Sequence, residues 1–186
     1  MNDIDVFAEM IKDSSQIISE NEYGRKKVVL TEPSCSDSIV EIRGLPDDAI
    51  MVKADSWPDP RKIFRGDRGE CKRSDYVIIA TKQGKLVIVY IEMKRSNSAT
   101  RHEIVKQLTG ALCFIEYCRA IGRHFWQKQD FLCNAEHRFV GFGHTGSIRK
   151  KKTRVTRRDG THDQPDRFLK INWPNHVEFN MIVGSL

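Results

Sequence analysis

The stretch Ser74-Asp75-Tyr76-Val77-Ile78-Ile79-Ala80-Thr81-Lys82-Gln83-Gly84-Lys85-Leu86-Val87-Ile88-Val89-Tyr90-Ile91-Glu92-Met93-Lys94 decides the fold. Residues 76–81 and 85–93 are dense in β-branched and aromatic side chains, the composition of strands. Gln83-Gly84 between them reads as a turn, which makes the two runs a hairpin. With the turn centred there, Ile79 faces Ile88, Val77 faces Tyr90 and Asp75 faces Glu92. Directly opposed residues share a face, with Cβ atoms about 5 Å apart. Lys94 projects from that same face, about 7 Å further along its strand.

Two carboxylates and one ammonium therefore converge at the open end of the hairpin. Carboxylates at that separation repel each other unless a cation lies between them. Hard oxygen donors suit Mg²⁺ or Mn²⁺. An ion of that kind can bind a phosphodiester oxygen, acidify a bound water and stabilise the charge that develops at phosphorus. Lys94 would orient or activate the water, or stabilise the transition state. The plainer reading is a solvated salt-bridge cluster at a hairpin end, since an apolar strand ending in Glu-x-Lys also arises by chance.

Outward from the hairpin, residues 101–119 predict a helix. Thr100 and Glu103 fit a capping box at its start, and Ile104, Val105, Leu108, Ala111, Leu112, Ile115 and Cys118 form its apolar stripe. Residues 4–20 also read as a helix, from the spacing of Val6, Phe7, Met10, Ile11, Ile17 and Ile18. Short strand signals occur at 28–30, 39–42, 49–54, 138–142, 168–171 and 177–183. Residues 56–60 and 65–73 read as loops. No repeat or linker divides the chain, so 1–186 is expected to form one domain. The element order predicts an α/β fold: a central mixed sheet flanked by helices.

The residues quoted at 74–79 and 89–94 resemble the PD-(D/E)xK nuclease motif. The resemblance implies a restriction-endonuclease-like αβββαβ core, with a motif region of about 74–110. It implies that Asp75 and Glu92 ligate Mg²⁺ or Mn²⁺, that the Met93 backbone carbonyl assists, and that Lys94 serves the nucleophile. Gln107 matches the glutamine that many members carry on the following helix. A first-helix glutamate sometimes joins the site, and Glu9 or Glu20 could fill that role, Glu9 lying deeper in the helix. Ser74 stands where the motif name has proline. A literal Pro-Asp occurs at Pro58-Asp59, but in a loop with no paired strand, so Asp59 ranks below Asp75. The implied activity is metal-dependent hydrolysis of DNA phosphodiesters, by an endonuclease of restriction, repair or antiviral defence, acting as a homodimer or within a larger complex. The alternative is a non-catalytic nucleic-acid-binding subunit that keeps the nuclease fold.

Charge points the same way. The net charge is +6, but residues 1–60 hold 6 Lys/Arg against 13 Asp/Glu, net −7, and residues 61–186 hold 25 against 12, net +13. The basic part suits a polyanion. Its densest run, 149–158, contains Arg149, Lys150, Lys151, Lys152, Arg154, Arg157 and Arg158. Such an arm suits a phosphate backbone, with salt-dependent affinity and no base readout; the bland reading is an exposed loop. His144 and Arg149 are further candidates for phosphate contact. Five scattered cysteines predict free thiols rather than a disulfide framework. Cys113-x4-Cys118 and Cys133-x3-His137 have roughly zinc-like spacing, but Cys118 falls on the helix's apolar stripe, so the core reading is preferred. The acidic N-terminus has no apolar signal core and no run is long enough for a membrane helix, which sets the expectation of a cytoplasmic protein.

Overall fold

The computed structural model describes residues 1–32, 35–96, 99–145, 152–156, 161–174 and 176–186. The chain runs α1 (Asp3–Met10), β1 (Gln16–Ile17), β2 (Glu20–Glu22), β3 (Arg25–Glu32), β4 (Cys35–Leu45), β5 (Ile50–Lys53), β6 (Tyr76–Lys82) and β7 (Lys85–Lys94). It continues with α2 (Arg101–Phe125), β8 (Glu136–Gly143), β9 (Arg154–Thr156), β10 (Leu169–Asn172), β11 (His176–Glu178) and α3 (Phe179–Val183). Seven strands form the central mixed sheet in the order β1-β5-β6-β7-β8-β10-β9. β7–β8 and β8–β10 are parallel and the other neighbours antiparallel.

β6 and β7 lie at the centre because both of their faces are apolar. Val77, Ile79, Ile88 and Tyr90 pack with α1 and α2, through Phe7, Leu108, Ala111 and Ile115. Ile78, Val87, Val89, Ile91 and Met93 point the other way. Strands buried on both sides read as continuous hydrophobic runs. The hairpin turn places Gln83 at φ 51° and Gly84 at φ 77°, the two positive dihedrals that a two-residue turn matched to strand twist requires.

What covers the second face differs from expectation. It is not a helical layer but a second sheet, β11-β4-β3-β2, together with the short α3. β3 and β4 alternate, Val28, Leu30, Val40 and Ile42 turning inward while Val29 (41% exposed) and Ile39 (40%) face outward. That alternation marks a sheet packed on one side only.

Three boundaries also differ. The first helix stops at Met10 instead of reaching residue 20. Asp13-Ser14-Ser15 takes a 3₁₀ turn, and short polar side chains of this kind compete with helical backbone bonds. The Gln16 amide caps the helix end by donating to Ala8 O (3.2 Å) and Ile11 O (2.8 Å), and β1 then pairs with β5. α2 has the expected capping box, with Thr100 accepting from Glu103 N–H, but it extends to Phe125. Near its end Gly122 is packed so closely against the Phe131 ring that no side chain would fit there. Residues 177–183 are not one strand: Phe179, Ile182 and Val183 are buried at helical spacing and form α3. Among the described residues, no helix is long and apolar enough to cross a membrane.

Candidate active site

Val77 pairs with Tyr90 and Ile79 with Ile88, the register expected from the turn. The β6–β7 ladder begins at Tyr76, paired with Ile91, and just before it Asp75 N–H donates to that same Ile91 O at 3.2 Å. The Asp75 main-chain carbonyl accepts from Ala54 N–H (2.9 Å), and its Oδ2 accepts from Met93 N–H (2.6 Å). The carboxylate is held in place by the backbone of the strand that carries Glu92 and Lys94.

Glu92 is completely buried. The Lys94 ammonium lies 2.5 Å from its Oε1, while Oε2 has no partner among the described residues. Next to Asp75 in sequence, the Ser74 hydroxyl is also buried without a partner among those residues. Buried polar groups are nearly always paired, so such clusters call for an explanation.

The electrostatics are those of two carboxylates sharing one ammonium. Burial pushes Asp75 up to about 7, against the lowering effect of the Met93 N–H and Lys94. Glu92 is held well above the usual carboxylate range, first by burial and then by repulsion from Asp75. Burial alone would lower Lys94, but Glu92 and Asp75 outweigh it and raise its affinity for the proton. Lys94 is therefore an ammonium at neutral pH, a donor rather than a base.

Two acidic residues that the motif did not suggest add to this field. Glu32, at the end of β3, acts on Asp75, Glu92 and Lys94, and Asp55 acts on Asp75. Glu32 and Asp55 also line a cleft of about 550 Å³ with Thr31, Lys53, Ser56 and Tyr76. No local signal marks Glu32, because the second sheet brings it there through long-range pairing.

The other candidates separate clearly. Gln107 is half-buried on the second turn of α2, one residue before the core residue Leu108. Met93 directs its side chain into the opposite core layer. Glu9 is not brought to the site. It accepts from Trp126 Nε1 (3.2 Å) at the C-terminal cap of α2, roughly 28 Å along the helix from Gln107. Glu20 lies on β2 and pairs with Lys27 at 3.7 Å. Asp59 caps the 3₁₀ turn at Pro60–Lys62, and its bonds to the Arg61 side chain and N–H hold it down to about 2.

Cys118 is buried in the core, whereas Cys113 and Cys133 are exposed. His137 is bonded to Tyr90 and Arg119. His144 stacks on Trp173 with ring centroids 4.7 Å apart. Of the basic arm, Lys152 is exposed and Arg154 lies on β9; Arg149, Lys150, Lys151, Arg157 and Arg158 lie outside the described residues.

The donor chemistry fits a divalent cation. Two carboxylates lie close enough to repel each other, one with a buried, unpartnered oxygen among the described residues. Among the described residues, no third His, Cys, Asp or Glu completes a closed cage. Mg²⁺ is typically bound by one or two carboxylates, waters and substrate phosphates, without an all-protein cage. No protein-family profile, curated protein or solved structure is significantly similar to this chain.

Proposed function

We propose that this protein is a divalent-metal-dependent nuclease of the PD-(D/E)xK kind that hydrolyses DNA phosphodiesters. The observation that carries the reading is the buried Glu92 carboxylate, with Oε2 unpartnered among the described residues, within electrostatic reach of Asp75 and beside Lys94. The element order adds support. α1, the antiparallel run β5-β6-β7, α2, and β8 parallel to β7 follow the αβββαβ order of that fold, with β2–β4 as an added sheet.

Asp75 and Glu92 would hold the ion, aided by the Met93 carbonyl. When bound, the ion supplies Lewis acidity toward the phosphodiester and neutralises charge that builds in the transition state. Asp75 is fixed by the Met93 N–H, so its carboxylate is preorganised and does not have to be gathered from solvent. Lys94, kept protonated by its neighbours, donates to the attacking water or to a phosphate oxygen. Gln107, one turn beyond the start of α2, supports the substrate side. The basic 149–158 segment supplies backbone contacts that carry no sequence preference.

The test is incubation of wild type and Lys94→Ala with linear, circular and single-stranded DNA, in Mg²⁺ or Mn²⁺, with and without EDTA. Cleavage by wild type alone that EDTA abolishes is expected, and cutting of the circle would define an endonuclease. DNA binding without cleavage under every condition would replace this reading with that of a non-cutting nucleic-acid-binding subunit.

A further inference from the structure

The loop that leads into Asp75 is held by its own hydrogen bonds. Asp59 Oδ1 accepts from Arg61 N–H (3.0 Å), and Pro60 O accepts from Ile63 N–H (2.9 Å) and Phe64 N–H (2.8 Å). The Glu70 carboxylate accepts from Gly66 N–H (2.8 Å) and Arg68 N–H (3.0 Å). Lys72 N–H donates to Gly69 O (3.0 Å), and the Arg73 guanidinium donates to Asp55 O (3.2 Å). The loop is also seated on α2. A Cβ at Gly110 would fall within 1.8 Å of Lys72 O, and one at Gly69 within 2.6 Å of the Lys106 side chain.

On this fixed loop two successive large hydrophobics face solvent, Ile63 at 84% exposure and Phe64 at 54%. A singly exposed hydrophobic is ordinary. Two in succession on an ordered turn leave apolar surface in water that burial against a partner would recover. The rim is cationic. Lys62 and Arg65 flank the pair directly, and Arg68 and Lys72 are exposed as well. Residues 59–73 hold six Lys/Arg against three Asp/Glu. An apolar tip between cations is complementary to duplex DNA, where side chains such as Phe and Ile enter between base steps and Lys and Arg hold the phosphates.

The loop also borders the candidate active site. Arg73 lies two residues before Asp75. Glu103, in the first turn of α2, is held below the usual carboxylate range by Thr100 first, and further by Lys72 of the loop and Lys94 of the site.

We propose that Ile63 and Phe64 form a wedge that enters the base stack of duplex DNA beside the candidate active site, with Lys62 and Arg65 on the adjoining phosphates. The proposal rests on the nuclease reading for its substrate and adds how the duplex is engaged, through a locally unstacked step near the phosphodiester at Lys94.

The test is fluorescence anisotropy of a short duplex DNA with metal-free protein in EDTA, across a series of salt concentrations. A second set of duplexes carries 2-aminopurine at successive positions, and its emission rises where the base unstacks. Wild type should bind and raise that emission. The double variant Ile63→Ser, Phe64→Ser should bind about tenfold more weakly with the salt slope unchanged, because an apolar contact releases no counterions. It should also lose the emission rise. Arg65→Ala should instead reduce the slope by about one and keep the rise. Phe64→Ala alone carries the test if the double variant fails to fold. Wild-type affinity and emission in the double variant, with a wild type that binds and cuts, would overturn the wedge and leave the nuclease reading standing. Unstacking that depends on Ile63 and Phe64, without cleavage in Mg²⁺ or Mn²⁺, would keep the wedge and remove the nuclease reading. Binding to phosphatidylserine vesicles through these two residues, with no binding to DNA, would overturn the wedge in favour of a membrane contact. If wild type neither binds nor cuts DNA, both readings fall.

Discussion

Tyr90 and Glu92 are neighbours on one face of β7, and both are fully buried polar residues, yet their surroundings differ. Around Tyr90 the polar groups meet partners. Its hydroxyl lies 2.8 Å from His137 Nδ1, and Arg119 donates to His137 Nε2 (3.1 Å) and to Leu132 O (2.7 Å). Since Arg119 only donates, Nε2 must accept, so the neutral imidazole carries its proton on Nδ1 and donates to Tyr90. In this cluster only Arg119 Nε lacks a partner among the described residues. Around Glu92, one carboxylate oxygen and the Ser74 hydroxyl lack one. Satisfied buried networks stabilise a fold, whereas unsatisfied ones destabilise it and cluster where binding takes place. The first end of the strand reads as scaffold and the second as site.

The largest expected effect falls on activity. Glu92→Gln or Lys94→Ala should lower kcat by about 10²–10³-fold or more, as removal of a preorganised charge does, measured as the rate of plasmid nicking. Tyr90→Phe should leave that rate near wild type.

Stability should move in opposite directions at the two ends. Tyr90→Phe leaves His137 without its acceptor and should cost about 1–3 kcal/mol, a fall of several degrees in melting temperature. Burial and Asp75 hold Glu92 well above the usual carboxylate range, so at high pH its ionised form costs the folded state stability, and in EDTA Glu92→Gln should raise the melting temperature there. A fall there as large as that of Tyr90→Phe would erase the distinction between the two ends.

The pH dependence sharpens the contrast. Asp75 titrates at 3.8 in the unfolded chain and at about 7 in the folded protein. Between those values the folded state holds a proton that the unfolded chain has released, so metal-free stability should fall as pH rises from about 4 to about 7. His137 is shifted the other way, its folded value lying below 6.5 through burial and Arg119. Its contribution is complete above 6.5 and is lost as pH falls through the folded value. Asp75→Asn should flatten the high-pH limb of a melting-temperature profile, and His137→Gln the low-pH limb.

The smallest effect belongs to Asp59, the aspartate of the literal Pro-Asp. Asp59→Ala should leave cleavage unchanged and shift melting less than any variant above.

The hairpin and its register were legible because two runs dense in β-branched residues flank a turn signal, and the turn centre fixes which residues pair. The start of α2 was legible from Thr100 and Glu103. The end of α1 was not: Ile17 and Ile18 continue the helical spacing, but Asp13-Ser14-Ser15 breaks the backbone and β5 recruits Gln16 and Ile17 as an edge strand. Asp75, Glu92 and Lys94 could be placed from local sequence because they lie within one hairpin. Glu32 reaches the same region through pairing between distant segments, which no local pattern encodes. Glu9, like Glu20, was a candidate from resemblance alone, and the packing of α1 along α2 sends it to Trp126 instead.

The most direct measurement is the melting temperature of wild type and Glu92→Gln as Mn²⁺ is added at pH 8. The account predicts a saturable rise for wild type, because an ion bound only by the folded state stabilises it, and no rise for Glu92→Gln. An equal rise in both proteins, or none in wild type, would contradict the claim that Asp75 and Glu92 form a divalent-cation site.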